Sequence, residues 1–347
     1  MIATMQSSNL DFLRSCAVLC VCFFHLSIYV GQGDYHFLWR NLGAGGVIVF
    51  FVHTCLVLFC SLERSQQGRW IRSFYVRRLF RIYPLCWASI VFALAFKLSD
   101  LEPNVLAGFG WKGILTNILL VQNFIRRGSI IGPLWSLPWE VQMYLLLPFL
   151  FWWMKRTSNR YLAIMLWGSF TVAAVLGTMP SAPRALHGFV FAPMFLGGMV
   201  AFQKRDGARF LSANLWPAFV IGLIALRIAL LRGESIETQW NAFVNASMCL
   251  VLGLAIPHFR DLRGHLITKV SQKIAQYSYG VYLLHMPLLI LWFQHVRAPV
   301  QVQALGWMVT TVALSVLAYH AIEAPMIRVG KSIVARQEKA LMAAVTV

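Results

Sequence analysis

Charge is what this sequence has least of, and acid is scarcest. Of 347 residues, 12% are Asp, Glu, Lys or Arg, against about 25% in average soluble domains. No polar stretch is long enough to fold as a separate soluble domain. One domain over 1–335 is therefore expected, with 336–347 as a short cytoplasmic tail. Metal-ligand spacing is also missing: Cys16, Cys20, Cys22, Cys55, Cys60, Cys86 and Cys249 all lie in or beside apolar runs. They read as small packing residues with no disulfides, and no metal site is expected. No small-residue cleavage site follows the first apolar run, which is too long for a signal-peptide core and reads as a retained helix. No repeat of fixed period is visible.

Apolar residues fill the space left by charge. They make up 59% of the chain, with a mean hydropathy of +0.66. About 20 apolar residues cross a membrane as a helix. Full-length candidates fall near 10–30, 43–62, 80–98, 135–154, 161–179, 187–203, 213–231, 241–257, 275–296 and 303–322. The expected fold is an all-α polytopic membrane protein of about ten transmembrane helices. The stretch GILTNILLVQNF at 113–124 is too short to cross, since twelve residues rise about 18 Å. It reads as re-entrant or interfacial.

Thirty Lys and Arg against twelve acids leave a net charge of +18. In a soluble chain this would suggest nucleic acid. Here basic residues gather in cytoplasmic loops and fix topology, so no nucleic-acid partner is expected. The loop near 63–81 holds Arg64, Arg69, Arg72, Arg77, Arg78 and Arg81, which puts it and the N-terminus inside. If 113–124 does not cross, Lys155, Arg205, Arg260 and Arg328 also fall inside, and Arg126, Arg127, Arg184 and Arg297 outside. Both termini are then cytoplasmic.

Ionisable residues within apolar spans cost free energy and usually mark a site or pathway. The first span carries Arg14 and His25, eleven positions apart, which is about three helical turns and one face. Arg14 reads either as an anchor near Asp11 or as a site residue. His25 reads either as a packing histidine or as a general base. In the fourth span Ser136, Glu140 and Tyr144 are spaced by four and share a face. In the ninth, Ser278, Tyr282 and His285 share a face before Pro287. Glu323 and His320 close the last span and read as interfacial. In FYVRRLFRIYP, Arg77 and Arg81 share a face. Every basic residue of this loop is arginine, the better bidentate phosphate ligand.

Six stretches, in this order, resemble the acyltransferase family 3 membrane proteins: the Arg14–His25 span, GAGGVIVFFV, FYVRRLFRIYP, LWSLPWEVQMYLLLP, YSYGVYLLHMPLL and YHAIEAPM. The resemblance runs from about residue 9 to 330. It implies an O-acyltransferase in the bacterial cytoplasmic (inner) membrane, in the stand-alone form without a fused soluble esterase-like domain. The donor it implies is cytoplasmic acyl-CoA as co-substrate, acetyl-CoA first, with no permanently bound cofactor. The implied acceptor is a carbohydrate hydroxyl on a polysaccharide, oligosaccharide or glycolipid, within membrane lipid.

By that resemblance His25 is the catalytic base, and Glu140 either orients it or holds the sugar. Arg77, Arg78 and Arg81 hold the donor phosphates, and Arg14 lines the entrance. Ser136, Tyr144, Tyr282 and His285 are further substrate contacts. The chain departs from the family pattern at Thr54-Cys55, where many members have Ser-Gly, and at Val141, where many have a second Glu. A transporter of a lipid-linked sugar or small anion is the alternative reading.

Overall fold

The structure, a computed structural model, describes residues 7–31, 36–64, 70–99, 103–124, 128–157, 159–232 and 238–345. Arg69, Arg126 and Arg127, named above for topology, lie outside them. Thirteen α-helices are assigned among the described residues: α1 (Ser8–Val30), α2 (His36–Arg64), α3 (Trp70–Ala95), α4 (Pro103–Ile118), α5 (Leu137–Thr157), α6 (Leu162–Gly177), α7 (Arg184–His187), α8 (Ala192–Gln203), α9 (Leu215–Leu230), α10 (Gln239–Ala255), α11 (His265–Ile290), α12 (Val300–Ala318) and α13 (Ala324–Val345). Among the described residues, six segments are long and apolar enough to cross a membrane: Ser8–Val30, Phe37–Arg64, Trp70–Ala95, Gln239–His258, His265–His295 and Val300–Lys339. Three shorter helices, α6, α8 and α9, are also apolar. This is a multi-pass, all-helical membrane architecture.

Each of the ten stretches read as spans holds a helix, but several limits move. α3 begins at Trp70, so Arg72, Arg77, Arg78 and Arg81 lie on a helix and not in a loop. Hydropathy falls at the arginines while backbone hydrogen bonding continues through them. The helix expected over 113–124 starts earlier, at Pro103, breaks at Gly110 (φ 56°) and stops at Ile118. Beyond it Leu120 has a left-handed φ of 56°, which ends the helical ladder. α13 runs unbroken through residue 335, the expected start of the tail.

The chain divides into two compact units. The first comprises residues 1–61 and 145–276. Its centre is α8, in which every residue from Ala192 to Phe202 is buried. α8 packs against α10 and α6. A Cβ added to Gly197 would stand 2.4 Å from the carbonyl oxygen of Cys249, and one on Gly253 would stand 2.1 Å from that of Gly197. Two backbones therefore touch, the packing by which small residues join helices in lipid. Gly198 approaches α2 in the same way, its added Cβ 2.7 Å from Cys55 Cβ. The Thr54-Cys55 departure thus sits at a close helix crossing, where residue 55 is fully buried. Phe51 stacks on Phe195 at 4.2 Å and Phe59 meets Phe202 at 5.3 Å along the same seam.

The second unit comprises residues 62–144 and 277–347. α13 packs along α3. The segment after α4 is held by side-chain amides. Fully buried Asn117 donates to the carbonyls of Gly113 (3.0 Å) and Gly128 (3.2 Å) and accepts from the Ile130 N–H (3.0 Å). Gln122 donates to the Leu134 carbonyl at 3.0 Å. From α3, Trp87 donates to the carbonyl of Ile118 (3.0 Å) and Tyr83 to that of Leu119 (3.2 Å). Buried carbonyls outside regular helices need such donors, and here they fix the approach to the start of α5.

Candidate active site

In the second unit, Pro133 opens a short 3-10 turn over Gly132–Trp135 that delivers Ser136 to the head of α5. The Tyr282 hydroxyl from α11 donates to the Pro133 carbonyl at 3.0 Å and lies 2.7 Å from Ser136 Oγ. Ser136 Oγ also reaches the Pro133 carbonyl, at 3.5 Å, so either hydroxyl can donate to the other. One turn further along α5, Tyr144 donates to Glu140. Ser136, Glu140 and Tyr144 are 4%, 7% and 6% exposed, so the carboxylate is shielded on all sides.

The compensating charge comes from α3. Arg78 lies within electrostatic range of Glu140 and Tyr144 and covers the Phe74 ring at 5.9 Å. Phe74 in turn meets Tyr144 edge-on at 6.4 Å. Arg78 Nε has no hydrogen-bond partner. A buried carboxylate requires a cation and donors nearby, and Arg78 with Tyr144 supplies both.

The three arginines do not converge. Arg77 pairs with Glu338 of α13 and Arg81 with Glu323, each at 3.9 Å. These are long contacts that a stronger anionic ligand could exchange. Tyr279 donates to the Ile82 carbonyl at 2.7 Å and lies within electrostatic range of Glu140 and Glu323.

His285 is fully buried. Its Nδ1 lies 3.0 Å from the Val281 carbonyl and its own carbonyl accepts from Trp307 Nε1 at 2.9 Å. Its ring centroid is 6.1 Å from that of Tyr282. The expected face of α11 thus forms, with Tyr282 directed to Ser136 and His285 packed beneath. His320 reaches Tyr277 at 3.5 Å.

Arg14 and His25 belong to the first unit. Arg14 covers the Phe50 ring of α2 at 5.6 Å and acts electrostatically on Asp11. His25 is half-buried, its Nδ1 3.0 Å from the Val21 carbonyl. A carbonyl only accepts, so Nδ1 carries the proton. In the neutral ring the lone pair is then on Nε2, the atom a general base uses.

Sequence reasoning missed a third buried group. Arg227 of α9, 2% exposed, donates from Nε to Asn245 Oδ1 (2.8 Å) and from Nη1 to the Asn41 carbonyl (2.7 Å) and Oδ1 (3.2 Å). Asn245 donates onward to Asn241 at 2.6 Å. The signal was present, since Arg227 lies within the apolar run LWPAFVIGLIALRIAL and meets the criterion that singled out Arg14.

Fold and side chains thus describe an integral membrane protein with buried ionisable groups in both units. Residues 7–320 match the acyltransferase family 3 model, described as an acyltransferase domain. The chain belongs to that family. It is similar to the acyltransferase MdmB of Streptomyces mycarofaciens, 24% identical over 71% of this chain and 68% of the relative. Nodulation protein 10 of Rhizobium leguminosarum bv. viciae is 26% identical over 95% of this chain and 96% of its own. The peptidoglycan O-acetyltransferase OatA of Listeria monocytogenes is 28% identical over 50% of this chain and 30% of its own. No solved structure matches.

Proposed function

We propose that this protein moves an acyl group, acetyl first, from cytoplasmic acyl-CoA to a hydroxyl of a cell-envelope or secreted carbohydrate. It would do so as a single domain of ten crossings in the bacterial cytoplasmic membrane, with both termini cytoplasmic. Family membership supports O-acyl transfer, and the name of the Listeria relative supports acetyl and a glycan acceptor. The observation that carries the mechanism is the His25 tautomer, in which Nδ1 is anchored on Val21 and the lone pair falls on Nε2.

In the proposed step Nε2 takes the acceptor hydroxyl proton as that oxygen attacks the thioester carbonyl. The carbon–sulfur bond then breaks and the imidazolium returns its proton to the departing thiolate. Acyl group, proton and thiol balance with no further reactant. Arg77, Arg78 and Arg81 would bind the donor phosphates, exchanging Glu338 and Glu323 for phosphate oxygens at the two outer arginines. Arg14 would line the donor's way in. Glu140, held by Tyr144 and near Arg78, would keep that guanidinium in place, while Ser136, Tyr282 and His285 would shape the acceptor side.

The test is incubation of the purified protein with labelled acetyl-CoA and candidate glycans, reading labelled ester. Ester that forms with wild type and is lost in His25→Ala supports the reading. Glycan that crosses a vesicle membrane without becoming acylated would replace it with transport.

A further inference from the structure

Among the described residues, Arg227 is a buried cation dressed only by neutral groups. Its acceptors are two asparagine side chains and one backbone carbonyl. No carboxylate among the described residues pairs with it, and Nη2 donates to none of them. Amide oxygens solvate a guanidinium but leave its charge in place, and an uncompensated charge inside a membrane protein is costly.

The helix ends do not supply the missing charge. Arg227 lies in the last turn of α9, the negative end of that helix. Asn241, which continues the network, lies in the first turn of α10, the positive end, where no acid stands. The partial charge at a helix end is about half a unit and fades within a turn, so among the described residues much of the guanidinium charge remains.

The network also lies at the level of His25 within the first unit. α1 and α2 meet closely where Gly43 faces Phe24, an added Cβ coming within 2.6 Å of that ring. Arg227 touches α2 on either side of this point, at Asn41 and beside Gly45.

We propose that Arg227, in its cradle of Asn41 and Asn245, is a binding subsite for an oxyanion, a phosphate or carboxylate group, taken up through Nη2. Arginine suits such groups because its parallel donors match two oxygens. The subsite does not depend on the acyl-transfer reading, although an acidic acceptor would give it a role there.

The test uses the purified full chain in detergent, without acyl-CoA. The thermal midpoint is measured with inorganic phosphate, with glucuronate, and with sodium chloride at equal ionic strength. Wild type should gain about 2 °C over chloride at a tenfold excess above Kd. A response to phosphate alone, glucuronate alone or both identifies the oxyanion. Asn245→Asp supplies a fixed carboxylate at Nε, and Asn241 can turn its amide to donate to it. This variant should start at a higher midpoint and lose the response. Arg227→Gln should also lose it, whereas Arg297→Gln, at an arginine outside both proposed sites, should keep it. No gain over chloride in wild type would overturn the proposal, as would an undiminished gain in Asn245→Asp or, should that variant fail to fold, in Arg227→Gln.

Discussion

At the scale of single residues, role follows exposure more than residue type or hydrogen-bond partner. His25 and His285 make the same contact, Nδ1 on the carbonyl four residues earlier, each at 3.0 Å. They differ in exposure: His285 is fully buried and His25 only half-buried. A base must reach its proton, so His25→Ala should lower acyl transfer roughly 10²–10⁴-fold with the protein still inserted and folded. His285→Ala should act first on thermal stability. Activity that survives in His25→Ala would remove the histidine from the chemistry. At Tyr144, substitution by Phe strips Glu140 of a buried donor and should cost about 1–3 kcal/mol, read as a lower melting midpoint. Arg78→Ala should raise KM for acyl-CoA on the order of tenfold, with a smaller effect on kcat; an unchanged KM would take Arg78 out of donor binding.

At the scale of elements, apolar runs announced where helices lie, and contacts decided where they end. α3 outruns its hydropathy because Arg77 finds Glu338 on α13 and Arg81 finds Glu323 just before it. Partners that distant in sequence leave no periodic trace. The 113–124 helix falls short where Asn117 and Gln122 turn to the carbonyls of Gly128 and Leu134 beyond it, and one amide side chain reads like another in sequence. The spacing of Ser136, Glu140 and Tyr144 was legible as a helical face, whereas the Ser136–Tyr282 contact across 146 positions was not. Helix crossing is the element-scale property most open to test. Gly197→Leu would drive a side chain into the Cys249 carbonyl, which cannot step aside. The expected result is a loss of about 1–3 kcal/mol or more, seen as early aggregation on heating. The same change at Gly222, where an added Cβ meets nothing within 4 Å, should be tolerated.

At the scale of the whole molecule, two properties tie the chain to its proposed work, a basic balance of +18 and buried polar groups in both units. The proposed topology rests on the first. Green fluorescent protein fused after Arg205 or Arg260 should fluoresce, and alkaline phosphatase fused after Arg297 should be active. Active phosphatase after Arg205 would break the ten-crossing arrangement. Chemistry follows from the second, and one measurement tests it most directly. Purified wild-type protein and folded His25→Ala are each given labelled acetyl-CoA and a panel of envelope glycans. Labelled glycan ester with the first and background with the second is the predicted result. Equal ester from both proteins, or none from wild type with any glycan, would contradict the account.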